Sequence, residues 1–164
     1  MSVALDPAPL LRFLHEREIA HIVVGGFAVN AHGYIRVTKD LDIVPSPTEK
    51  NLERLAQALR ELDATILDTG DFKPEELPAD PTNAAGLALG GNFCLRTNLG
   101  RLDVMQWLSG IETDDLYAVF DPEAAEGNLE GVPVRVCGLE HLRAMKRAAG
   151  RPQDLVDLRQ LGEE

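Results

Sequence analysis

The sequence predicts an α/β (α+β) fold in which a mixed β-sheet is flanked by helices. Short runs rich in β-branched residues alternate with segments whose leucines recur at helical spacing. Glycine and proline fall mainly at the junctions between these runs. The chain has 164 residues, 45% of them hydrophobic and 26% charged, which is a globular composition and a length suited to one domain over 1–164. The sequence carries no internal repeat, coiled-coil heptad or low-complexity tract.

Leu10 to Arg17 reads as a helix behind Pro7 and Pro9, with Leu10, Leu11 and Leu14 on one side. Ile19 to Val24 is a short apolar run and reads as a strand, ended by Gly25-Gly26. Phe27 to His32 suits a short helix that Gly33 stops. Lys39 to Val44 is a second strand. Ser46-Pro47-Thr48-Glu49 then opens a helix, with Ser46 as cap, Pro47 at the first position and Glu49 completing a capping box. Leu52, Leu55, Leu59 and Leu62 follow at helical spacing.

Ala64 to Leu67 is expected to be a strand. Asp68 to Gly91, with Pro74, Pro78 and Pro81, is expected to be a long loop and the element that faces an acceptor. Asn92 to Thr97 and Arg101 to Trp107 form a predicted hairpin around Asn98-Leu99-Gly100. Thr113 caps a helix through Phe120, and Val132 to Val136 is a strand entered through Gly131. Helices over Glu140 to Ala149 and Gln153 to Leu161 close the chain, separated by Gly150-Arg151-Pro152.

The net charge of -11 argues against broad nucleic-acid binding, which needs Lys and Arg to neutralise phosphates. The acidity is local. Seven acidic residues face one lysine from Glu61 to Thr82, and seven face no basic residue from Glu112 to Glu130. Cys94 and Cys137 are too few for a disulfide framework or a structural zinc site, so both are expected as reduced, buried thiols. No stretch approaches the ~20 apolar residues of a membrane span, and MSVALDPAPLLRF lacks the pattern of a secretory signal. The expected location is the cytoplasm.

Asp40-Leu41-Asp42-Ile43 carries the chemistry. Residues two apart on a strand share a face, so Asp40 and Asp42 project together while Leu41 and Ile43 enter the opposite, apolar face. Adjacent carboxylates raise one another's pKa unless a cation neutralises them. Hard oxygen ligands on one face suit Mg²⁺, which completes its shell with water and substrate phosphates. The alternative is an acidic strand end bathed in solvent. Upstream, Gly25-Gly26 and the following helix offer free backbone N–H groups to a phosphate, or simply make a tight turn. Asp103 stands in an alternating segment and can share the facing of the pair. Three such carboxylates can hold two metal ions about 3.5–4 Å apart for in-line phosphoryl transfer. Asp103 would then help deprotonate the attacking hydroxyl; otherwise it is a surface aspartate in a hairpin.

Val24-Gly25-Gly26, thirteen intervening residues and then Asp40-Leu41-Asp42-Ile43 resemble the signature of the DNA polymerase β-type nucleotidyltransferase superfamily. The longer string from Gly25 to Val44 resembles its small bacterial branch of minimal, toxin-type and antibiotic-modifying enzymes. Glu140-His141-Leu142 and the segment Lys146 to Asp154 resemble that branch's closing helices. The resemblance implies a nucleotidyltransferase-like fold, Gly25 and Gly26 at the triphosphate, and two Mg²⁺ ions (Mn²⁺ substituting) on Asp40, Asp42 and Asp103. It implies transfer of a nucleoside monophosphate from a nucleoside triphosphate, ATP among them, to a hydroxyl, with release of pyrophosphate. The family often has Gly-Ser; here the second position is Gly26, which leaves only backbone donors.

A triphosphate calls for nearby cations. Arg36, Thr38 and Lys39 lie between the two motifs and are the expected nucleotide-binding residues there, the alternative being solvated loop charges and a strand-edge threonine. From Leu139 to Leu161, Arg143, Lys146, Arg147, Arg151 and Arg159 outnumber Glu140, Asp154 and Asp157. Lys146 is the expected phosphate ligand in this group, the alternative being cations that complement a helix dipole. His32 is expected to cap its helix or sit in the core, and Trp107 to be core, with base stacking as the alternative. The acceptor stays open between an RNA end, a protein hydroxyl and a small molecule. A different class of function is also compatible: a catalytically silent module that binds nucleotide or a cognate partner protein, as an antitoxin or regulator does.

Overall fold

The computed structural model describes residues 4–67, 77 and 79–162. Its centre is a mixed seven-stranded sheet. The strands are β1 (His21–Val24), β2 (Asp40–Pro45), β3 (Thr65–Ile66), β4 (Phe93–Thr97), β5 (Gly100–Val104), β6 (Ala125–Leu129) and β7 (Val132–Val136). Their order across the sheet is β3-β4-β5-β2-β1-β7-β6. β2 runs antiparallel to β1 and parallel to β5, and β1 runs parallel to β7. The two segments of the glycine–aspartate motif therefore lie side by side, with Val24 opposite Asp42.

The helices are α1 (Ala8–Glu16), α2 (Gly25–Ala31), α3 (Glu49–Glu61), α4 (Ala84–Ala88), α5 (Leu116–Phe120), α6 (Leu139–Ala149) and α7 (Pro152–Gln160). α1 buries Leu10, Leu11 and Leu14, and α3 buries Leu52, Leu55 and Leu59, as their spacing requires. These side chains join Leu41, Ile43, Leu95 and Leu102 in one apolar core. Each fully buried leucine contributes about 1.5–3 kcal/mol. No described helix is long and apolar enough to cross a membrane.

Several boundaries differ from the sequence expectation. α2 begins at Gly25 itself, so the glycine pair opens the helix as well as ending the strand. The cap of α3 is Thr48, whose hydroxyl accepts from the Asn51 N–H at 3.3 Å. Ser46 is buried, and its carbonyl accepts from Asn51 Nδ2 at 2.8 Å. Asn51 also bonds both backbone polar groups of Ala20, so the chain stays extended through Pro47 and the helix starts two residues late. α5 is capped by Asp115, and Thr113 instead accepts from the Asp115 N–H. β5 ends at Val104 rather than Trp107.

The predicted loop 68–91 contains α4, capped by Asn83 through the Ala85 N–H at 2.9 Å. Residues 68–76 and 78 of that loop lie outside the described residues. β6 was not expected, because Ala125–Leu129 is exposed throughout and shows no apolar face. Trp107 is 57% exposed, which corrects the core expectation. Its backbone, with that of Gln106, is stitched to the Asn92 side chain beyond the strand end, so the side chain leaves the sheet.

Candidate active site

Asp40 and Asp42 project from one face of β2, while Leu41 and Ile43 are fully buried on the other. The parallel register of β2 and β5 sets Asp42 beside Asp103. The three carboxylates converge: one oxygen of each lies within 4.8 Å of the other two. Asp103 is only 8% exposed. Asp42 Oδ1 and Asp103 Oδ1 are buried and have no hydrogen-bond partner among the described residues. A buried carboxylate oxygen left without a donor costs free energy that folding must supply elsewhere.

Burial, and then the charges of Asp103 and Asp40, push the Asp42 carboxyl well above its usual value. Burial and the neighbouring Asp40 push Asp103 up to about 6. Both shifts report negative charge crowded into a desolvated place. The donor set is three hard oxygen ligands, two of them with orphaned buried atoms. It fits a divalent cation of the Mg²⁺ type.

Gly25 turns the chain at the edge of this cluster with φ +71°. A Cβ on Gly25 would overlap Asp42 Oδ2, so only glycine lets the turn approach the carboxylate. A Cβ on Gly26 would overlap Thr38 Cγ2. Thr38 thus occupies the space that any side chain at position 26 would need. Thr38 is 7% exposed, and its hydroxyl has no partner among the described residues. Its carbonyl accepts from the Leu5 N–H at 2.9 Å, which fixes the backbone there.

The expected cations divide. Arg36 donates through Nε and Nη2 to both oxygens of Asp157, at 2.9 and 3.0 Å. Lys146 is buried, with Nζ 3.1 Å from Asp154 Oδ1 and 2.9 Å from Asp157 Oδ2. Its charge lowers the pKa of Asp42, so it stands near the carboxylate site. Lys39 is exposed. Arg143 turns instead to Glu140 and the Leu161 carbonyl.

Asp154 and Asp157 were not singled out from the sequence. The signal was present: Asp154, Asp157, Leu158 and Leu161 share one helical face, so two carboxylates sit among core positions. Burial pushes both carboxyls up. Hydrogen bonds from Arg151 and Lys146 to Asp154, and from Arg36, Lys146 and Gln153 to Asp157, outweigh it and hold both below the usual value. Cys94 corrects another expectation. It is exposed, and its register opposite Asp103 places it on the carboxylate face, whereas Cys137 is buried as expected. His32 caps α2, with Nε2 2.8 Å from the Cys137 carbonyl oxygen.

No family model and no curated protein matches the chain. Solved structures do. The lincosamide antibiotic adenylyltransferase LnuA, with lincomycin bound, aligns at TM-score 0.64 and 12% identity over 97% of this chain and 98% of its own. The antibiotic-resistance factor ANT(2'')-Ia aligns at TM-score 0.56 and 17% identity over 94% and 82%. The Thermotoga maritima protein TM1012, assigned as a nucleotidyltransferase, aligns at TM-score 0.57 and 15% identity over 95% and 93%. At these identities the likeness is one of architecture. The chain has the nucleotidyltransferase fold.

Proposed function

We propose that the protein is a metal-dependent nucleotidyltransferase that moves AMP from ATP to a hydroxyl of a small molecule and releases pyrophosphate. The observation that carries this reading is the convergence of Asp40, Asp42 and Asp103, with two orphaned oxygens, beside the Gly25 turn. Asp40, Asp42 and Asp103 would hold Mg²⁺. When bound, Mg²⁺ supplies charge neutralisation to the phosphates and lowers the pKa of the acceptor hydroxyl. Gly25 and Gly26 let the triphosphate approach the backbone, and the Thr38 hydroxyl, Arg36, Lys39 and Lys146 are assigned to its oxygens. Asp103 takes the proton of the acceptor hydroxyl as that oxygen attacks the α-phosphorus. The bond from the α-phosphorus to its bridging oxygen breaks, and its electron pair leaves with pyrophosphate. The rest of catalysis is positioning and fixed charge.

A small acceptor is favoured on two grounds. The net charge of -11 opposes an extended RNA contact. LnuA, whose whole length this chain matches, is described as adenylating lincosamides, and ANT(2'')-Ia has been seen with adenylyl-2''-tobramycin.

The test is a transfer assay with each nucleoside triphosphate labelled at the α-phosphate, Mg²⁺ or Mn²⁺, and separate pools of small-molecule, RNA and protein acceptors. Label is expected on a small molecule, from ATP, with none from Asp42→Asn. Label on RNA or protein would keep the reaction and replace the acceptor. Nucleotide binding without transfer to any pool would favour the silent binding module.

A further inference from the structure

Five charged side chains from three separate segments form one connected network beside the carboxylate site. Lys146, from α6, reaches both Asp154 and Asp157 of α7. Arg36, from the segment between α2 and β2, forks onto Asp157. Arg151 donates from Nε to Asp154 Oδ2 at 2.7 Å, and Gln153 Nε2 donates to Asp157 Oδ1 at 2.8 Å. Asp154 is 1% exposed and Asp157 0%.

Helix packing alone does not explain this arrangement. Well-packed apolar residues hold two helices together at least as well as a buried ion pair, because each buried charge carries a desolvation cost. Carboxylates supply what leucines do not, namely fixed positions for cations. Three cations share two carboxylates here, so one positive charge is left over. The cluster also borders both halves of the site. Lys146 and Arg151 each interact with the charge of Asp42. Arg36 Nη1 lies 3.4 Å from the place a Cβ would take on Gly26. Lysine has three donors, and two carboxylates anchor this one.

We infer that Asp154 and Asp157 are positioning residues that hold Arg36, Lys146 and Arg151 in place around the glycine turn, a preassembled cationic cradle for the triphosphate. This rests on the nucleotidyl-transfer reading and deepens it. A long cation already immobilised in the free protein gives up little freedom when a phosphate arrives, so the cradle acts through preorganisation. The carboxylates also keep the cations from collapsing onto Asp42, which would otherwise compete with metal for that oxygen.

The test is calorimetric titration of the full chain with magnesium tripolyphosphate and, separately, with MgATP. Asp157→Asn removes the anchoring charge at constant shape and is expected to weaken both ligands by about 10-fold or more. Asp157→Glu restores the charge and is expected to recover part of the loss. Asp154→Asn removes the other anchor, the one that holds Lys146 and Arg151; it is expected to weaken both ligands as well, and it decides the question if Asp157→Asn does not fold. In transfer kinetics the two Asn variants lower kcat/KM for the nucleotide and leave the acceptor KM unchanged, which loss of a structural staple would not do selectively. If the wild type binds both ligands, and the folded variants bind as tightly, the network is a staple and the inference fails. If the wild type binds neither ligand, the nucleotidyl-transfer reading falls, and the inference with it.

Discussion

Replacing Asp103 by Asn is expected to make the metal-free protein more stable while abolishing its chemistry. Burial and Asp40 push the folded carboxyl up to about 6, whereas an unfolded aspartate titrates at ~3.9. A raised folded pKa means that the protonated form fits the fold better. The stability this confers is complete in acid and is lost as pH rises through the interval between the two values. At pH 8 both states are ionised, and the fold carries a penalty of at most ~3 kcal/mol, reduced by what solvent screens. At pH 5 only about half of that has accrued. Asn keeps the shape of Asp103 and removes the charge. In EDTA at pH 8 its Tm is expected to lie several degrees above that of the wild type, since 1 kcal/mol moves Tm by about 2–4 °C in a chain of this length. The gap shrinks as the pH is lowered toward 4. Mg²⁺ with nucleotide raises the Tm of the wild type more than that of the variant, which lacks one of the three metal ligands. Thermal melts at several pH values, with and without metal, read all of this. A variant less stable than the wild type at pH 8 in EDTA, or a gap independent of pH, would refute the electrostatic account of the site.

Gly25→Ala combines a positive φ with a Cβ that overlaps Asp42 Oδ2; it is expected to cost about 1–2 kcal/mol from the backbone alone, seen in denaturant melts, and to displace Asp42 and abolish transfer. Gly26→Ala meets Thr38 Cγ2, so adding Thr38→Ala is expected to recover stability in a double-mutant cycle. The double variant stays poor in nucleotide binding, because the hydroxyl assigned to phosphate is gone. Thr48→Ala removes the cap that accepts from Asn51 N–H and is expected to cost about 1 kcal/mol with transfer kinetics unchanged, which separates loss of stability from loss of function.

The site was legible because its chemistry is local in sequence. Asp40 and Asp42 are two apart on a strand, and strand alternation alone puts them on one face. Asp103 needed one further step, that its strand lie parallel to β2, and no local pattern encodes that pairing. The expected turn Asn98-Leu99-Gly100 would set Cys94 opposite Val104; Thr97 instead pairs with Gly100, which shortens the turn by one residue and brings Cys94 opposite Asp103 on the carboxylate face. Asp154 and Asp157 were missed because acidic residues on a helix are usually solvated. Their burial depends on Arg36, 121 residues away from Asp157 in sequence, and on Lys146. The start of α3 lies beyond local reading because Ser46, Thr48 and Asn51 all have capping chemistry, and tertiary bonds from Asn51 to Ala20 decide among them. β6 is an exposed edge strand held by pairing with β7, so it offered no hydrophobic alternation to read.

The claim on which the rest depends is that Asp40, Asp42 and Asp103 hold divalent metal together with a nucleoside triphosphate. Mn²⁺ binding followed by electron paramagnetic resonance, with and without a non-hydrolysable ATP analogue, tests it most directly. The expected result is tight Mn²⁺ binding that requires the analogue and disappears in Asp42→Asn. Equal Mn²⁺ and nucleotide binding by wild type and Asp42→Asn would contradict it.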